Sequence, residues 1–223
     1  MSTLGKKYRV AIIGCGRIFQ KHQQSIAMEK DIAELVAVCD SNPERLEAAM
    51  KRTGLPGYAD YREMIEKEKL DLVSICTPSG NHASIAIDCS AKVPNIIVEK
   101  PMALRMKDAE ALIEASDRNK SRLFVVKQNR YNPPVVALRK ALDEGRFGKL
   151  LIGTIRVRWC RHPAYYQQDA WRGTWAWDGG VLTNQASHHL DLLTWIMGPV
   201  ESVFAKTATF LAPFAFEPDR STR

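Results

Sequence analysis

The chain has 223 residues, of which 45% are hydrophobic and 26% are charged. These proportions are ordinary for a globular protein that buries a core without disulfides or metal. The sequence contains no apolar run near the ~20 residues that span a bilayer, and its first residues lack the apolar stretch of a signal peptide. The formal net charge is +7, but basic residues are interspersed with acidic ones instead of forming a tract. Composition thus argues against a membrane protein, an exported protein and a nucleic-acid-binding protein.

The five cysteines are scattered along the chain and form neither a C-x-x-C pair nor a Cys/His cluster with zinc spacing. Most of them lie in apolar or strand-like segments, where a free cysteine behaves as a small buried hydrophobic residue. We therefore expect reduced thiols and a cytoplasmic location. The residues predicted to be buried are Cys15, Cys39, Cys76 and Cys160.

From residue 8 to 128, short apolar runs alternate with segments of helical periodicity. A short run that is apolar throughout is typical of a strand covered on both faces of a parallel sheet. The alternation predicts an α/β domain of Rossmann type, with a doubly wound parallel sheet, over residues 7–128. The predicted strands are 8–14, 34–40, 72–76, 96–99 and 123–127, and the predicted helices are 17–29, 43–51, 61–69, 82–92 and 107–119.

The pattern changes after residue 128, and residues 129–223 are predicted to form a partial α+β domain. Two long segments alternate apolar and polar residues at the period of a strand with one buried face. We expect them to form a largely antiparallel open sheet. Because two strands make a thin sheet, we also expect the chain to be C-terminally truncated. Helices are predicted at 133–144 and 181–197, strands at 150–161 and 200–210, and a loop at 162–178.

A glycine-rich turn, Gly14-Cys15-Gly16, follows the first predicted strand and precedes the first helix. Gly14 permits a tight turn, and Gly16 lets the backbone approach a pyrophosphate at the helix N-terminus, although the third glycine of the usual fingerprint is missing. Asp40 ends the second strand, where a carboxylate accepts hydrogen bonds from ribose hydroxyls and repels a 2′-phosphate. We therefore predict a dinucleotide site that prefers NAD to NADP, while Arg17 could still bind a 2′-phosphate.

In the tripeptide Glu99-Lys100-Pro101, Glu99 is the last residue of the predicted strand 96–99, and Lys100 and Pro101 directly follow that strand. The carboxyl edge of a parallel sheet is where α/β proteins bind their ligands. Desolvation and a nearby cationic nicotinamide would both lower the pKa of a lysine there, which favours an amine that exchanges protons. A surface lysine at a strand end is the alternative interpretation.

A third motif lies in the predicted helix 181–197, where Asn184, His188 and Asp191 are spaced i, i+4 and i+7 on one face. His188 is a candidate acid or base because the ordinary pKa of histidine is near neutrality. The neighbouring His189 lies on another face and is interpreted as structural. A metal site would need three converging ligands, and asparagine is a poor one, so no metal is expected.

Together with Thr77-Pro78-x-x-Asn81-His82, these motifs occur in the order typical of the Gfo/Idh/MocA family, which the chain resembles from residue 7 to about 211. The resemblance implies a Rossmann domain, a C-terminal α+β domain whose sheet serves in homo-oligomerisation, and hydride transfer between NAD(P) and a sugar or polyol. It also implies that Lys100 and His188 transfer protons. The implied cofactor-binding residues are Gly14, Gly16, Arg17, Ile18, Asp40, Thr77, Pro78, His82, Glu99, Lys100 and Pro101.

Asn184 departs from many family members, which carry aspartate there. Asparagine at this position is similar to the bacterial dehydrogenases that oxidise C3 of UDP-N-acetylglucosaminuronic acid, and the segments around Arg130 and Arg172 also look like that subgroup. A guanidinium holds a carboxylate or phosphate in a bidentate way, and anchoring a loop is the alternative role for each arginine. The implied substrate-binding residues are Lys100, Arg130, Tyr131, Trp171, Arg172, Asn184 and His188.

The sequence therefore predicts an NAD-dependent oxidoreductase acting on a secondary hydroxyl of a sugar, with a nucleotide-linked N-acetylamino sugar acid as the favoured substrate. An inositol or simple-sugar dehydrogenase of the same family is the first alternative. A truncated, non-catalytic NAD-binding module is the second. Spacing does not decide which of Lys100 and His188 removes the proton.

Overall fold

The computed structural model describes residues 6–208. The chain divides into two compact units between Val126 and Lys127, and each unit is described by itself. No helix among the described residues is long and apolar enough to cross a membrane.

The first unit is built on one six-stranded sheet of order β3-β2-β1-β4-β5-β6 in which every neighbouring pair is parallel. The predicted Rossmann-type α/β fold is thereby confirmed. The strands are β1 (Tyr8–Ile13), β2 (Ala33–Cys39), β3 (Gly57–Tyr58), β4 (Leu72–Ile75), β5 (Asn95–Val98) and β6 (Arg122–Val125). The helices are α1 (Phe19–Met28), α2 (Pro43–Thr53), α3 (Tyr61–Lys67), α4 (His82–Ser90) and α5 (Met106–Asn119), with a 3₁₀ turn at Ser79–Asn81.

The central strands are mostly apolar because both faces of the sheet are covered there. In β1, Ile12 packs with Phe19 and Val38 on one face, whereas Ala11 and Ile13 pack into the larger cluster on the other. Successive strand residues point to opposite faces, so apolar residues are needed on both sides of these strands. The strand order reverses between β1 and β4, and the carboxyl ends of the strands at such a reversal form the ligand crevice of Rossmann folds.

Local signals in the sequence set the helix boundaries. α2 begins at Asn42, whose side chain accepts a hydrogen bond from the Arg45 N–H at 3.0 Å, and it has Pro43 in its first turn. It ends at Gly54, whose φ of 71° lies in the left-handed region that favours glycine. Such an N-cap, first-turn proline and C-terminal glycine are typical start and stop residues of a helix.

The second unit is helical in its described part. It contains a 3₁₀ turn (Gln128–Tyr131), α6 (Pro133–Asp143), the short α7 (Pro163–Tyr166), a π-helical turn (Leu182–Ala186) and α8 (Ser187–Met197). The predicted helix 181–197 is therefore divided between a π-helical turn and α8, and the predicted loop 162–178 contains α7.

The two predicted strands of this unit, 150–161 and 200–210, form no β-ladder in the part of the chain that the structure describes. The end of the second, including Phe210, lies outside the described residues. The expected antiparallel sheet is thus absent from residues 127–208. Cys160, predicted to be buried in the first of these strands, is exposed, whereas Cys39 and Cys76 are buried as expected.

The alternation in residues 150–161 has another physical cause. Gly153 lies so close to α8 that a Cβ would meet Met197 Cγ at 2.8 Å, and the Trp159 and His189 rings make an edge contact at 5.0 Å. Ile155 and Val157 are half-buried on the same side, whereas the intervening arginines are exposed. A helix can cover one side of an extended segment as a sheet does, so the period of two is satisfied without strand pairing.

Candidate functional site

The glycine-rich turn between β1 and α1 has one crowded glycine and one open glycine. Gly14 has φ +99°, and a Cβ there would lie 2.6 Å from Cys76 C and 2.7 Å from Thr77 N, so only glycine fits against the end of β4. A Cβ at Gly16 would meet nothing within 4 Å. Gly16 therefore borders open space beside the first turn of α1, where a Rossmann fold receives a pyrophosphate.

Asp40, directly after β2, holds this turn in place. Its Oδ2 accepts a hydrogen bond from the Cys15 N–H at 2.7 Å, and its Oδ1 accepts one from the Asn42 N–H at 2.8 Å. A carboxylate has about four acceptor positions, so two backbone bonds leave capacity for ribose hydroxyls. The sequence predicted only the contact of Asp40 with ribose. Its hydrogen bonds to the backbone of the turn were missed, because spacing does not show which N–H group faces the carboxylate.

The thiol of Cys15, in the middle of the turn, is not a nucleophile. Burial, followed by the nearby Asp40 charge, raises the pKa of Cys15 to about 12. The thiolate is the reactive form, so this cysteine stays protonated at neutral pH.

The end of β4 contributes an unsatisfied hydroxyl. Thr77 Oγ1 is buried and has no hydrogen-bond partner in the described structure. A buried polar atom without a partner costs about 1–3 kcal/mol, and a polar ligand at this edge of the sheet would recover that cost. The open space at Gly16, the spare acceptors of Asp40 and the Thr77 hydroxyl fit a bound dinucleotide.

Lys100 follows β5, and the residues before and after it each lie within hydrogen-bond distance of a histidine ring. Glu99 is 8% exposed, and its Oε1 lies 2.9 Å from His22 Nε2 while its Oε2 accepts the Lys100 N–H at 3.1 Å. Burial alone would raise the pKa of Glu99, but the His22 hydrogen bond and the charges of His22 and Lys100 outweigh it and lower the pKa. On the other side, the Pro101 carbonyl lies 2.7 Å from His82 Nδ1.

His22 was missed by sequence reasoning. It lies on α1, one turn after the predicted fingerprint, and its Nδ1 lies 2.7 Å from the Ser74 Oγ on β4. The available signal was a histidine on the first helix at a position that faces the sheet. His82, predicted to bind the cofactor, is 1% exposed, and both its ring nitrogens are used within the protein because Nε2 lies 2.8 Å from the Thr77 carbonyl oxygen.

The structure thus brings most of the predicted cofactor residues to one edge of the sheet. The Gly14 N–H donates to the Cys39 carbonyl at 2.7 Å, which joins the ends of β1 and β2, and His82 joins the Thr77 and Pro101 loops. Of the other predicted residues, Pro78 is partly exposed, Arg17 is exposed and Ile18 is half-buried, packing against the small core cluster that contains Phe19.

In the second unit, Asn184 lies in the π-helical turn and is buried. Its Nδ2 donates a hydrogen bond to Asp178, whose carboxylate is also buried and accepts the Gly173 N–H at 2.7 Å. Asp178 was missed by sequence reasoning, although its place before two glycines marks a tight turn. His188 is half-buried at the start of α8.

Both arginines predicted to bind substrate are paired with carboxylates of the second unit. Arg130 donates to both oxygens of Asp191, at 2.8 Å and 2.7 Å, and this pairing raises the pKa of Arg130. Arg172 donates to Asp169 at 2.9 Å, and its guanidinium lies 4.7 Å from the centroid of the Trp171 ring. The contacts are those of loop anchors, the alternative that the sequence left open. Tyr131 is 80% exposed.

No group of three His, Cys, Asp or Glu side chains within residues 6–208 could hold a metal ion.

Comparison with known proteins agrees with this geometry. Residues 8–127 match the model of the Gfo/Idh/MocA oxidoreductase family, NAD-binding Rossmann fold, and residues 135–221 match the family's C-terminal domain. The chain belongs to the Gfo/Idh/MocA family. The resemblance drawn from the motifs is confirmed.

Several known proteins of this kind resemble the chain. It is 45% identical to the WlbA dehydrogenase from Bordetella pertussis, solved in complex with NADH and UDP-GlcNAcA, with a TM-score of 0.90 over 92% of this chain and 63% of that one. It is 30% identical to a myo-inositol 2-dehydrogenase from Thermotoga maritima over 88% of this chain and 57% of that protein. It is also 30% identical to a D-apiose dehydrogenase from Paraburkholderia graminis over 97% of this chain and 56% of that protein. The chain thus spans between 56% and 63% of the length of these relatives.

Proposed function

We propose that this chain carries the NAD site and a proton-transferring lysine of a dehydrogenase that oxidises a secondary hydroxyl of a nucleotide-linked N-acetylamino sugar acid. The observation that carries the proposal is the single edge of the sheet where the open Gly16 cradle, Asp40 and the Lys100 turn occur together. The substrate class is supported by the 45% identity to a WlbA dehydrogenase whose structure contains UDP-GlcNAcA.

In this proposal each residue has a separate task. The backbone at Gly14 and Gly16 receives the pyrophosphate, and Asp40 accepts ribose hydroxyls and disfavours a 2′-phosphate. When bound, NAD supplies the hydride acceptor. Lys100 exchanges the proton of the substrate hydroxyl as the alcohol becomes a ketone, and His188 is proposed as the second proton-transferring group. The remaining substrate contacts are assigned to Arg130, Tyr131, Trp171, Arg172 and Asn184.

A dehydrogenase of inositol or a simple sugar is the second candidate function. It is favoured by the pairing of Arg130 with Asp191 and of Arg172 with Asp169. A guanidinium already paired with a carboxylate is a weaker ligand for the carboxylate or phosphates of a nucleotide-sugar acid. The identity to a myo-inositol 2-dehydrogenase also supports this candidate. A non-catalytic NAD-binding module is the third.

Titration of the 223-residue chain separates these functions. NADH fluorescence should show binding, and calorimetry with NADH present should then show binding of UDP-GlcNAcA in preference to myo-inositol. Preference for myo-inositol would establish the second candidate. Binding of NADH with neither sugar would favour the binding module, and absence of NADH binding would contradict all three.

We further propose a cytoplasmic location and self-association through the second unit. The location is supported by five free cysteines, three of them buried, which suit a reducing compartment. Self-association and formation of the open sheet are supported by the exposure of apolar residues in segments that form no β-ladder in the described structure, with Ile152 87% and Phe204 87% exposed. Exposed strand edges tend to pair with another chain.

A further inference from the structure

Lys100 has no regular element of its own to hold it, because β5 ends at Val98. A proton-transferring side chain must be held within a fraction of an ångström of its working position, and a displacement of 1 Å can cost about 100-fold in rate. What fixes this turn is therefore a functional question.

We propose that His22 and His82 are positioning residues that fix the Lys100 turn from its two sides, His22 through the Glu99 carboxylate and His82 through the Pro101 carbonyl. The role of Lys100 itself rests on the proposed function. The positioning is a property of the first unit alone, and it connects α1, β4 and α4 to the turn that follows β5.

The first connection runs from α1 to the turn. Because His22 Nε2 faces a carboxylate at 2.9 Å, it must carry the proton and donate. Its other nitrogen lies 2.7 Å from the Ser74 hydroxyl, which can donate to a neutral ring or accept from a charged one. Ser74 is 1% exposed, so the ring is anchored to β4. His22 therefore holds the Glu99 carboxylate in the orientation in which its second oxygen accepts the Lys100 N–H.

The second connection runs from α4 to the turn. Both ring nitrogens of His82 face carbonyl oxygens, at 2.7 Å and 2.8 Å, and carbonyls only accept. A neutral imidazole donates through one nitrogen, whereas the doubly protonated ring donates through both. Burial lowers the pKa of His82 despite the two carbonyls, which act in the opposite direction. The neutral ring thus donates to only one of the two carbonyls. We assign that bond to Pro101, whose carbonyl oxygen is the nearer of the two, at 2.7 Å from Nδ1 against 2.8 Å for Thr77 and Nε2.

Four substitutions test this assignment because asparagine and glutamine reproduce different halves of histidine. Glutamine places its amide near the Nε2 position, and asparagine places its amide near Nδ1. His22→Gln therefore keeps the contact with Glu99, and His22→Asn loses it. His82→Asn keeps the contact with Pro101, and His82→Gln loses it. Within each pair, the two variants remove the same ring.

The measurement is the acetylation rate of the Lys100 amine as a function of pH in the cofactor-free 223-residue chain, followed by peptide mass spectrometry, with the exposed Lys51 as internal reference. We expect His22→Asn and His82→Gln to change the Lys100 rate relative to Lys51 by at least ~3-fold or to shift its pH midpoint. His22→Gln and His82→Asn should follow the parent. In a chain with turnover, the first two variants should lose ~10–100-fold in kcat, with NADH affinity kept.

If both members of each pair behave alike, the rings are merely structural and the proposal is wrong. It is equally wrong if none of the four variants moves the Lys100 profile. Melting temperatures are recorded for all four, and if the buried His82 variants do not fold, the His22 pair decides. Because labelling needs neither cofactor nor substrate, a failure here leaves the proposed dehydrogenase function standing, and the absence of NADH binding leaves the positioning result standing.

Discussion

The two glycines of the β1–α1 turn should respond differently to alanine: Gly14→Ala should lower the stability of the fold, whereas Gly16→Ala should weaken NADH binding. Gly14→Ala puts a Cβ 2.6 Å from the Cys76 backbone at a φ of +99°. The left-handed backbone costs about 1–3 kcal/mol, and displacing the end of β4 costs a similar amount. We expect Gly14→Ala to lose at least ~3 kcal/mol of unfolding free energy.

Gly16→Ala should leave the fold intact. Its Cβ would enter open space, and alanine there removes conformational freedom from the unfolded chain, so the stability should change by no more than ~1 kcal/mol. The methyl group would occupy the space that a pyrophosphate needs, and a loss of only ~1.4 kcal/mol of binding free energy lowers NADH affinity tenfold. Urea unfolding and NADH fluorescence titration measure the two quantities. A Gly16→Ala variant that binds NADH as the parent does would refute this location of the cradle.

Three further predictions follow from the same structure. Asp40→Ala should narrow the preference for NADH over NADPH in paired fluorescence titrations. It should also lower the melting temperature, because the Cys15 and Asn42 N–H groups lose their acceptor. Tighter binding of NADPH than of NADH by the parent would contradict the proposed role of Asp40. In a form of the protein that turns over substrate, Lys100→Ala and His188→Ala should each lower kcat by ~10²–10⁴-fold with NADH binding largely kept. A variant that keeps the parent's turnover would show that its residue takes no part in proton transfer. Analytical ultracentrifugation should find the 223-residue chain self-associated, since Leu151 and Val203 are 79% and 81% exposed. A chain ending at Asn129 should be monomeric. A monomeric 223-residue chain would show that the second unit needs no partner.

The first unit was predictable because its signals are local and mutually consistent. Each strand is a short apolar run, the α2 boundaries are marked by Asn42-Pro43 and Gly54, and the two glycines fall where the turn needs them. Only β3 was not predicted, since two residues, Gly57 and Tyr58, are too few to display a period. The alternation of strands and helices was then sufficient to predict a parallel sheet.

The second unit was predicted less well because a period of two reports the environment of a segment and not its hydrogen bonds. Residues 150–161 have one side against α8, where Gly153 approaches Met197 and Trp159 contacts His189. A sheet would have required a partner strand that the described residues do not provide. The described residues therefore show the covered face that the pattern predicts but not the β-ladder, which stays a prediction.

The site residues that sequence reasoning missed act through other residues. His22 and Ser74 are 52 residues apart, and only the folded sheet brings them together with Glu99. Arg130 shows the converse situation. Its residue type suits an anion, but the folded chain already supplies one in Asp191.

Asn184 stands where many family members carry aspartate, and its neighbour Asp178 explains this departure. The sequence suggested that asparagine removes a negative charge that many members carry. In the structure the carboxylate of Asp178 lies against Asn184, is 4% exposed and also accepts the Gly173 N–H. A buried carboxyl group is therefore present, supplied by another residue, and the Asn184 amide donates a hydrogen bond to it, which an ionised carboxylate at position 184 could not do.

Asn184→Asp, which restores the residue of many members, should for this reason destabilise the chain in a pH-dependent way. Two buried carboxylates in contact cannot both ionise cheaply, so the pair retains a proton to a higher pH than it does in the unfolded chain. A group whose pKa is raised in the folded state contributes stability at low pH. That contribution is lost as the pH rises, at about 1.4 kcal/mol for each unit by which the pKa is shifted. The variant should thus approach the parent's unfolding free energy near pH 4 and fall below it by ~2 kcal/mol or more at pH 7.5 in urea titrations. Asn184→Ala, which adds no charge, is the control: its stability deficit should not grow between the two pH values. Equal stability of Asn184→Asp and the parent at pH 7.5 would mean that the side chains at positions 178 and 184 do not interact in the folded chain.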